Sequence, residues 1–162
     1  MTKLSATHKG LITGGIMVLA SVCMFYGLKL ELNGPNQLVV IGIFIAGILW
    51  SLLSLRQTSG DLTFKNYFSE GFKTFIVMTL IIVLYTAVFY KLNPSILEAA
   101  IKETETLVAK QGDKTPAGIA ANSEKLRSIF MPMTISLTTV TYLAFGAITS
   151  LIGGLLLRSV KR

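Results

Sequence analysis

Four long apolar runs, separated by short polar segments, set the pattern of this sequence. Each run reaches roughly the 18 to 20 residues that a helix needs to cross the hydrocarbon core of a bilayer. The charged residues collect between the runs, whereas a soluble domain would distribute them over every element. The pattern therefore predicts an all-α integral membrane protein with one domain over residues 1–162. The predicted spans are about residues 11–28, 37–55, 72–90 and 132–157.

The stretch Gly60–Pro94 joins a charged, aromatic approach to the third predicted span. Aromatic residues in the approach recur at spacings of three and four, which places them on one face of a helix that could bend at Gly71. This face either lies in the headgroup plane as an interfacial anchor or packs on the protein itself. The same two interpretations hold for Trp50, near the end of the second span. The candidate anchor residues are Phe64, Tyr67, Phe68, Phe72 and Trp50.

Two short amphipathic helices are predicted in residues 93–131, between spans three and four. Asn93 can cap a first helix that has Pro94 at its first position, where the missing N–H costs nothing. Gly112 is a natural stop, and Thr115-Pro116 opens a second helix that runs to Phe130. The two helices form a hairpin whose apolar faces need a partner: each other, the membrane surface or another protein.

Small residues at helical spacing indicate close helix packing in two spans. Small side chains let neighbouring helices approach each other, and interfaces between membrane helices are enriched in them. The fourth span carries three such residues four apart, and the region of the first span carries two. The candidate helix-packing residues are Gly146, Ser150 and Gly154 in the fourth span and Gly10 and Gly14 near the first.

The charge of the chain bears on its topology more than on its ligands. The net charge is +7, and lysine and arginine collect on the cytoplasmic side of membrane proteins. The basic residues divide almost evenly between the two sides, but those close to the spans favour cytoplasmic N- and C-termini. The short connection over residues 29–36 makes the first two spans antiparallel neighbours, and the helical hairpin then lies outside. Nucleic acid is not an expected partner, because no basic stripe carries interleaved aromatics.

Composition excludes most catalytic chemistry. Hydrophobic residues make up 52% of the chain and charged residues 14%. Cys23 is the only cysteine and His8 the only histidine, so there is no disulfide framework and no cluster of the residues that bind metals. No glycine-rich phosphate loop is present outside the apolar runs. We therefore expect no enzymatic activity, no metal and no cofactor.

Transport remains an alternative. No ionisable residue falls in the middle of any predicted span, and ion-coupled carriers usually depend on one. Hydroxyl groups in the first half of span four could instead line a path for an uncharged solute, or bond to their own helix. A central cavity lined by Thr138, Thr141, Tyr142 and Tyr85 would favour transport, and a solidly packed bundle would favour a binding role.

The residues of Gly60–Phe68, Glu70–Thr74 and Tyr90–Pro94, and the helical hairpin that runs into Met131-Pro132, resemble the uncharacterised membrane-protein family called domain of unknown function 4199. The resemblance covers nearly the whole chain. It implies four helices in a bacterial cytoplasmic (inner) membrane, and it implies no activity and no functional residue. We expect an accessory or scaffold subunit of a larger membrane complex, with the bilayer and other membrane subunits as partners; the alternative is a small carrier or pore for an uncharged solute.

Overall fold

Five helices account for nearly all of the chain that the structure describes. The computed structural model describes residues 4–29, 35–57, 62–110 and 116–159, and no strand occurs among them. The all-α prediction is confirmed. The helices are α1 (Ala6–Val22), α2 (Pro35–Arg56), α3 (Phe64–Leu92), α4 (Pro94–Lys110) and α5 (Pro116–Ser159).

Among the described residues, four helical segments are long and apolar enough to cross a membrane, as a multi-pass protein requires. Each begins before the apolar run from which it was predicted, and the last three also end after it, because the helical hydrogen bonds continue into the flanking polar residues. As a result, several charged residues next to the runs belong to the helices themselves. The four segments are Ala6–Gly27, Asn36–Arg56, Phe64–Leu92 and Ser123–Ser159.

The first span has a capped start and a widened end. The hydroxyl of Ser5 accepts a hydrogen bond from the backbone N–H of His8 at 3.3 Å, as an N-cap does. At the other end, Cys23–Gly27 forms a π-helical turn in which Leu28 N donates to Cys23 O at 3.0 Å. Lys29 then takes a left-handed backbone with φ of 52°. Residues 30–34 of the predicted connection lie outside the described part of the chain.

The long helices α3 and α5 run through two positions that the sequence marks, Gly71 for a bend and Pro132 for a break. Gly71 lies inside α3, with no change of element there. Pro132 lies inside α5, although the sequence predicts a helix to Phe130 and a separate span from residue 132. This prediction is wrong because an internal proline removes one backbone hydrogen bond, a local loss that a long helix can absorb.

The chain divides into two compact units. That it forms a single domain stays a prediction. The first unit is Met1–Ile82 with Thr139–Arg162. Within it, the starts of α1 and α3 lie at the same end as the final turns of α2 and α5. Lys9 of α1 contacts Ser51 of α2 and Glu70 of α3, and Gly71 of α3 contacts Ser150 of α5. We call this the Lys9 end. The core includes the fully buried side chains of Met17, Phe44, Ile48, Leu52 and Met78.

The second unit, Val83–Thr138, contains the end of α3, α4 and the first half of α5. The rings of Tyr90 and Phe130 meet edge to face at 5.3 Å between centroids. Arg127 pairs with Glu98 at 2.6 Å, with both side chains about half exposed. Ile101 of α4 is 2% exposed, so α4 buries apolar surface within this unit. The predicted turn at Gly112 lies outside the described residues.

Candidate functional site

A buried ion pair lies at the Lys9 end of the first unit. Lys9 Nζ is 3.0 Å from Glu70 Oε1, and the two side chains are 6% and 18% exposed. A lysine and a glutamate are rarely buried unless they are paired, because removing either charge from water is costly. The pair therefore joins the first turn of α1 to α3.

Two hydroxyl groups extend the pair into a cluster. Ser51 Oγ donates to Glu70 Oε1 at 3.2 Å and lies 2.8 Å from Thr74 Oγ1. Thr74 Oγ1 is also 2.9 Å from Glu70 O and 3.5 Å from Ala6 O. Since each hydroxyl carries one proton, these acceptors of Thr74 are alternatives. We call Lys9, Ser51, Glu70 and Thr74 the polar cluster; it links α1, α2 and α3.

A glycine brings the helices close enough for the polar cluster to form. A Cβ atom at Gly10 would lie 2.8 Å from the carbonyl oxygen of Thr74 and 3.0 Å from Val77 Cβ. Real Cβ atoms essentially never come within 3.0 Å of another heavy atom, so only glycine permits this approach of α1 to α3. Lys9 is the neighbour of Gly10, and its ammonium group also reaches Ser51 O of α2 at 3.5 Å.

A cleft of about 820 Å³ opens beside the polar cluster. Its volume is in the range of small-molecule sites. Lys9 and Glu70 form part of its wall, and Lys73 and Trp50 lie on it with their side chains largely exposed. Apolar, hydroxyl-bearing and amide side chains share the rest of the lining. The remaining lining residues are Leu4, Ser5, Ala6, Thr7, Ser54, Leu55 and Gln57.

The charged and hydroxyl groups of the polar cluster are engaged with one another. Here Lys9 Nζ contacts the backbone oxygen of Ser51, while the Ser51 hydroxyl donates to Glu70. Among the residues that the structure describes, no group of three or more His, Cys, Asp or Glu side chains could hold a metal ion. What the cluster offers chemically is fixed charge and hydrogen-bond donors beside a cleft.

The small residues of the fourth span lie against α3. A Cβ atom at Gly146 would be 2.5 Å from Phe75 Cγ, and one at Gly154 would be 3.3 Å from Phe64 Cε2 and from Tyr67 Cβ. Ser150 is fully buried, and its Oγ lies 2.5 Å from the Cβ position of Gly71. The structure therefore brings all three predicted residues of this stripe to one helix contact.

The two glycines predicted to pack near the first span also lie against α3. Gly10 lies against Thr74 and Val77, as described above, and a Cβ atom at Gly14 would be 2.5 Å from Ile81 Cδ1. Contact with Ile81 Cδ1 involves the far end of a flexible side chain, so the approach at Gly14 is less restrictive than that at Gly10. Of the two stripes, only that of the fourth span carries a polar side chain, Ser150.

Some of the candidate aromatic anchors pack within the protein, and others are exposed on its surface. Tyr67 is 4% exposed, so it packs within the bundle. Phe64 and Phe68 are partly covered, and their rings stack at 5.9 Å between centroids. Phe72 and Trp50 are largely exposed, at 46% and 41%. Of these residues, only Trp50 lies on the cleft.

Sequence reasoning missed the polar cluster. In the sequence, Lys9 stands just before the first apolar run and Glu70 in the aromatic approach to the third, where a charge usually faces the headgroups. The predicted topology contained a signal for the ion pair. Spans one and three begin on the same side of the membrane, and Lys9 and Glu70 stand at their starts. Ser51 near the end of span two completes the set. The pattern along one helix does not show such a pairing between helices.

These features define a class: a helical protein with four segments able to cross a membrane, held together at one end by a buried ion pair. The sequence profile of the family described as "Protein of unknown function (DUF4199)" matches residues 9–159. The chain belongs to this family, which confirms the resemblance seen in its residues. No curated protein and no solved structure matches the chain.

Proposed function

We propose that this chain is a non-enzymatic accessory or scaffold subunit of a larger complex in a bacterial cytoplasmic membrane. The proposal rests on one observation: buried apolar side chains fill the middle of the first unit. Met17, Phe44, Ile48, Leu52 and Met78 have no exposed surface, so apolar side chains occupy its middle. A subunit that positions other proteins needs a rigid body of this kind and an apolar outer surface.

The outer surface of the spans supports the same role. Many large apolar side chains are more than half exposed, as they would be against lipid or against a partner subunit. Membrane helices associate through side-chain packing, so this surface can serve either neighbour. Examples from four helices are Leu19 at 65%, Leu38 at 64%, Leu84 at 66% and Leu137 at 66%.

The basic residues near the ends of the spans support one orientation of the chain in the membrane. Lys9, Arg56, Lys73 and Arg158 belong to the parts of α1, α2, α3 and α5 nearest the Lys9 end. Lysine and arginine near the ends of spans favour the cytoplasmic side. We therefore assign the N- and C-termini to the cytoplasm and α4 with the first turns of α5 to the outside.

Affinity purification in a mild detergent tests the role. The tagged full-length chain is expected to bring down a defined set of membrane subunits in fixed ratio, and a tagged unrelated four-span protein is the control for non-specific capture. Reciprocal tagging of one captured subunit should recover this chain. A chain that elutes alone and monodisperse, with its polar cluster intact as judged by thermal stability, contradicts the role.

A carrier for an uncharged solute is the second candidate, and one observation favours it. Thr79 Oγ1 and Ser150 Oγ are buried and have no hydrogen-bond partner among the described residues. A polar solute could satisfy such groups. Against this, Tyr142 of the predicted lining is 4% exposed and packs edge to face on Phe44 at 5.0 Å. Swelling of proteoliposomes in glycerol or urea, faster than in protein-free vesicles, would favour the carrier.

A further inference from the structure

We infer that the cleft at the Lys9 end binds a phosphate group, with the headgroup of an anionic phospholipid as the expected source. This inference is independent of whether the chain acts as an accessory subunit or as a carrier. It follows from four properties of the cleft: its charge, its hydrogen-bond donors, its mixed lining and its position at the ends of the spans.

The charge of the cleft favours an anion. Its wall carries Lys9 and Lys73 against Glu70 alone, which leaves one positive charge. Glu70 Oε1 is already engaged by Lys9 Nζ and Ser51 Oγ, so that carboxylate oxygen is committed to the polar cluster. Lys73 has no ion-pair partner among the described residues, and its side chain is exposed. Lys73 is therefore the cation available to a ligand.

Hydrogen-bond donors surround this charge. A lysine ammonium has three donors, and Lys9 uses two of them, on Glu70 and on the carbonyl of Ser51. Thr7 and Gln57 add side-chain donors to the lining. Phosphate oxygens are strong acceptors and make their shortest hydrogen bonds with charged donors. A phosphate can therefore be held by charge and by these two neutral groups together.

The remaining lining fits an amphiphile better than a free ion. Leu4, Leu55 and Trp50 form apolar wall beside the polar groups. The cleft lies where α1 starts and α2 ends, at one end of the spans. Basic pockets between membrane helices bind phospholipid headgroups in this way. A glycerol backbone and the first methylene groups of a lipid would contact Leu4, Leu55 and Trp50.

Trp50 supplies a reporter for the test. It is the only tryptophan in the chain and it lies on the cleft. The full-length protein in a non-ionic detergent is titrated with short-chain phosphatidylglycerol, with short-chain phosphatidylcholine and with inorganic phosphate while Trp50 emission is recorded. Saturable change with phosphatidylglycerol, and a much weaker response to the other two, identifies an anionic lipid. Saturation by inorganic phosphate at comparable concentration supports the phosphate site with a soluble ligand as its source.

Lys65 provides the matched control for Lys73. Both are exposed lysines in the first three turns of α3, and only Lys73 lines the cleft. Lys73→Met is expected to weaken binding about tenfold, the loss of one charge-assisted hydrogen bond. Lys73→Arg should retain most of the affinity, and Lys65→Met should change it by less than about twofold. No saturable response to any probe, or equal effects of Lys73→Met and Lys65→Met, overturns the inference.

Discussion

Lys9 Nζ and Glu70 Oε1 meet at 3.0 Å in the interior of the first unit, although 61 positions separate the two residues in the chain. The Ser51 hydroxyl donates to the same carboxylate oxygen. One oxygen atom thus receives donors from α1 and α2 while it belongs to α3. This atom is the point at which the three helices are fixed to one another at the Lys9 end.

Removing one charge of this pair should destabilise the protein strongly. Lys9→Met leaves Glu70, whose side chain is only 18% exposed, without its cation, and loss of one partner of a buried pair costs about 3–5 kcal/mol. Glu70→Met should cost a similar amount, because it leaves the Lys9 ammonium unpaired. Unfolding of the purified protein by SDS in mixed micelles, followed by circular dichroism, measures the change in the free energy of unfolding.

The double variant Lys9→Met with Glu70→Met is the decisive comparison. Replacing a whole buried ion pair by apolar side chains is often neutral. The double variant is therefore expected to be more stable than either single variant, and the coupling energy from the cycle should be large. Additive losses in the double variant would show that the two side chains do not interact across the helices.

The ion pair of the second unit should behave differently, although it is the shorter one. Arg127 and Glu98 lie 2.6 Å apart with side chains 56% and 46% exposed. Water screens such a pair, and exposed pairs contribute about 0–1 kcal/mol. Arg127→Met is expected to change the free energy of unfolding by no more than this in the same assay. A loss as large as that of Lys9→Met would mean that burial does not account for the difference between the pairs.

Ser51 and Ser54 offer a test of the hydroxyl in the polar cluster. Ser51 Oγ contacts Glu70 and Thr74, whereas Ser54 Oγ donates only to Trp50 O of its own helix at 2.8 Å. Ser51→Ala is expected to cost about 1–3 kcal/mol, since it removes the hydrogen bond from the Ser51 hydroxyl to the charged carboxylate of Glu70. Ser54→Ala, three residues away on α2, should change the free energy of unfolding by less than about 0.5 kcal/mol. Equal effects of the two substitutions in SDS unfolding would mean that the Ser51 hydroxyl does not stabilise the polar cluster.

Much of the fold follows from the sequence because membrane spans are set by local composition. Apolar runs of sufficient length must form helices in a bilayer, where every backbone polar group needs an internal partner. The starts of α4 at Pro94 and α5 at Pro116 also agree with the proline positions in the sequence. These features depend on neighbours in the chain, and the sequence displays neighbours directly.

The polar cluster did not follow, because it depends on contacts between helices. Lys9 and Glu70 each stand next to an apolar run, where a charge usually faces headgroups. What buries them is the close approach at Gly10, which sets how far α1 lies from α3. The continuous α5 was missed for a different reason: Pro132 is a strong local signal, but one lost hydrogen bond does not outweigh the helix on both sides.

The contact between Gly146 and Phe75 predicts an asymmetry among glycine substitutions. A Cβ atom at Gly146 would lie 2.5 Å from Phe75 Cγ, and Phe75 is 2% exposed, so its ring has little room to move. Gly146→Ala is expected to cost about 1–3 kcal/mol through overpacking. At Gly42 nothing lies within 4 Å of the added atom, so Gly42→Ala should not destabilise the protein. SDS unfolding measures both, and a loss at Gly42 equal to that at Gly146 would rule out the steric explanation.

The proposed topology predicts opposite labelling of two serines. In a Cys23→Ser background the chain has no other cysteine, so one introduced thiol reports one position. Ser95→Cys, in the first turn of α4, should react with a membrane-impermeant maleimide in intact spheroplasts. Ser159→Cys, at the end of α5, should react only after the membrane is permeabilised, because basic residues such as Arg158 near the Lys9 end favour the cytoplasmic side. The reverse pattern would invert the orientation, and labelling of both thiols in intact spheroplasts would contradict four crossings.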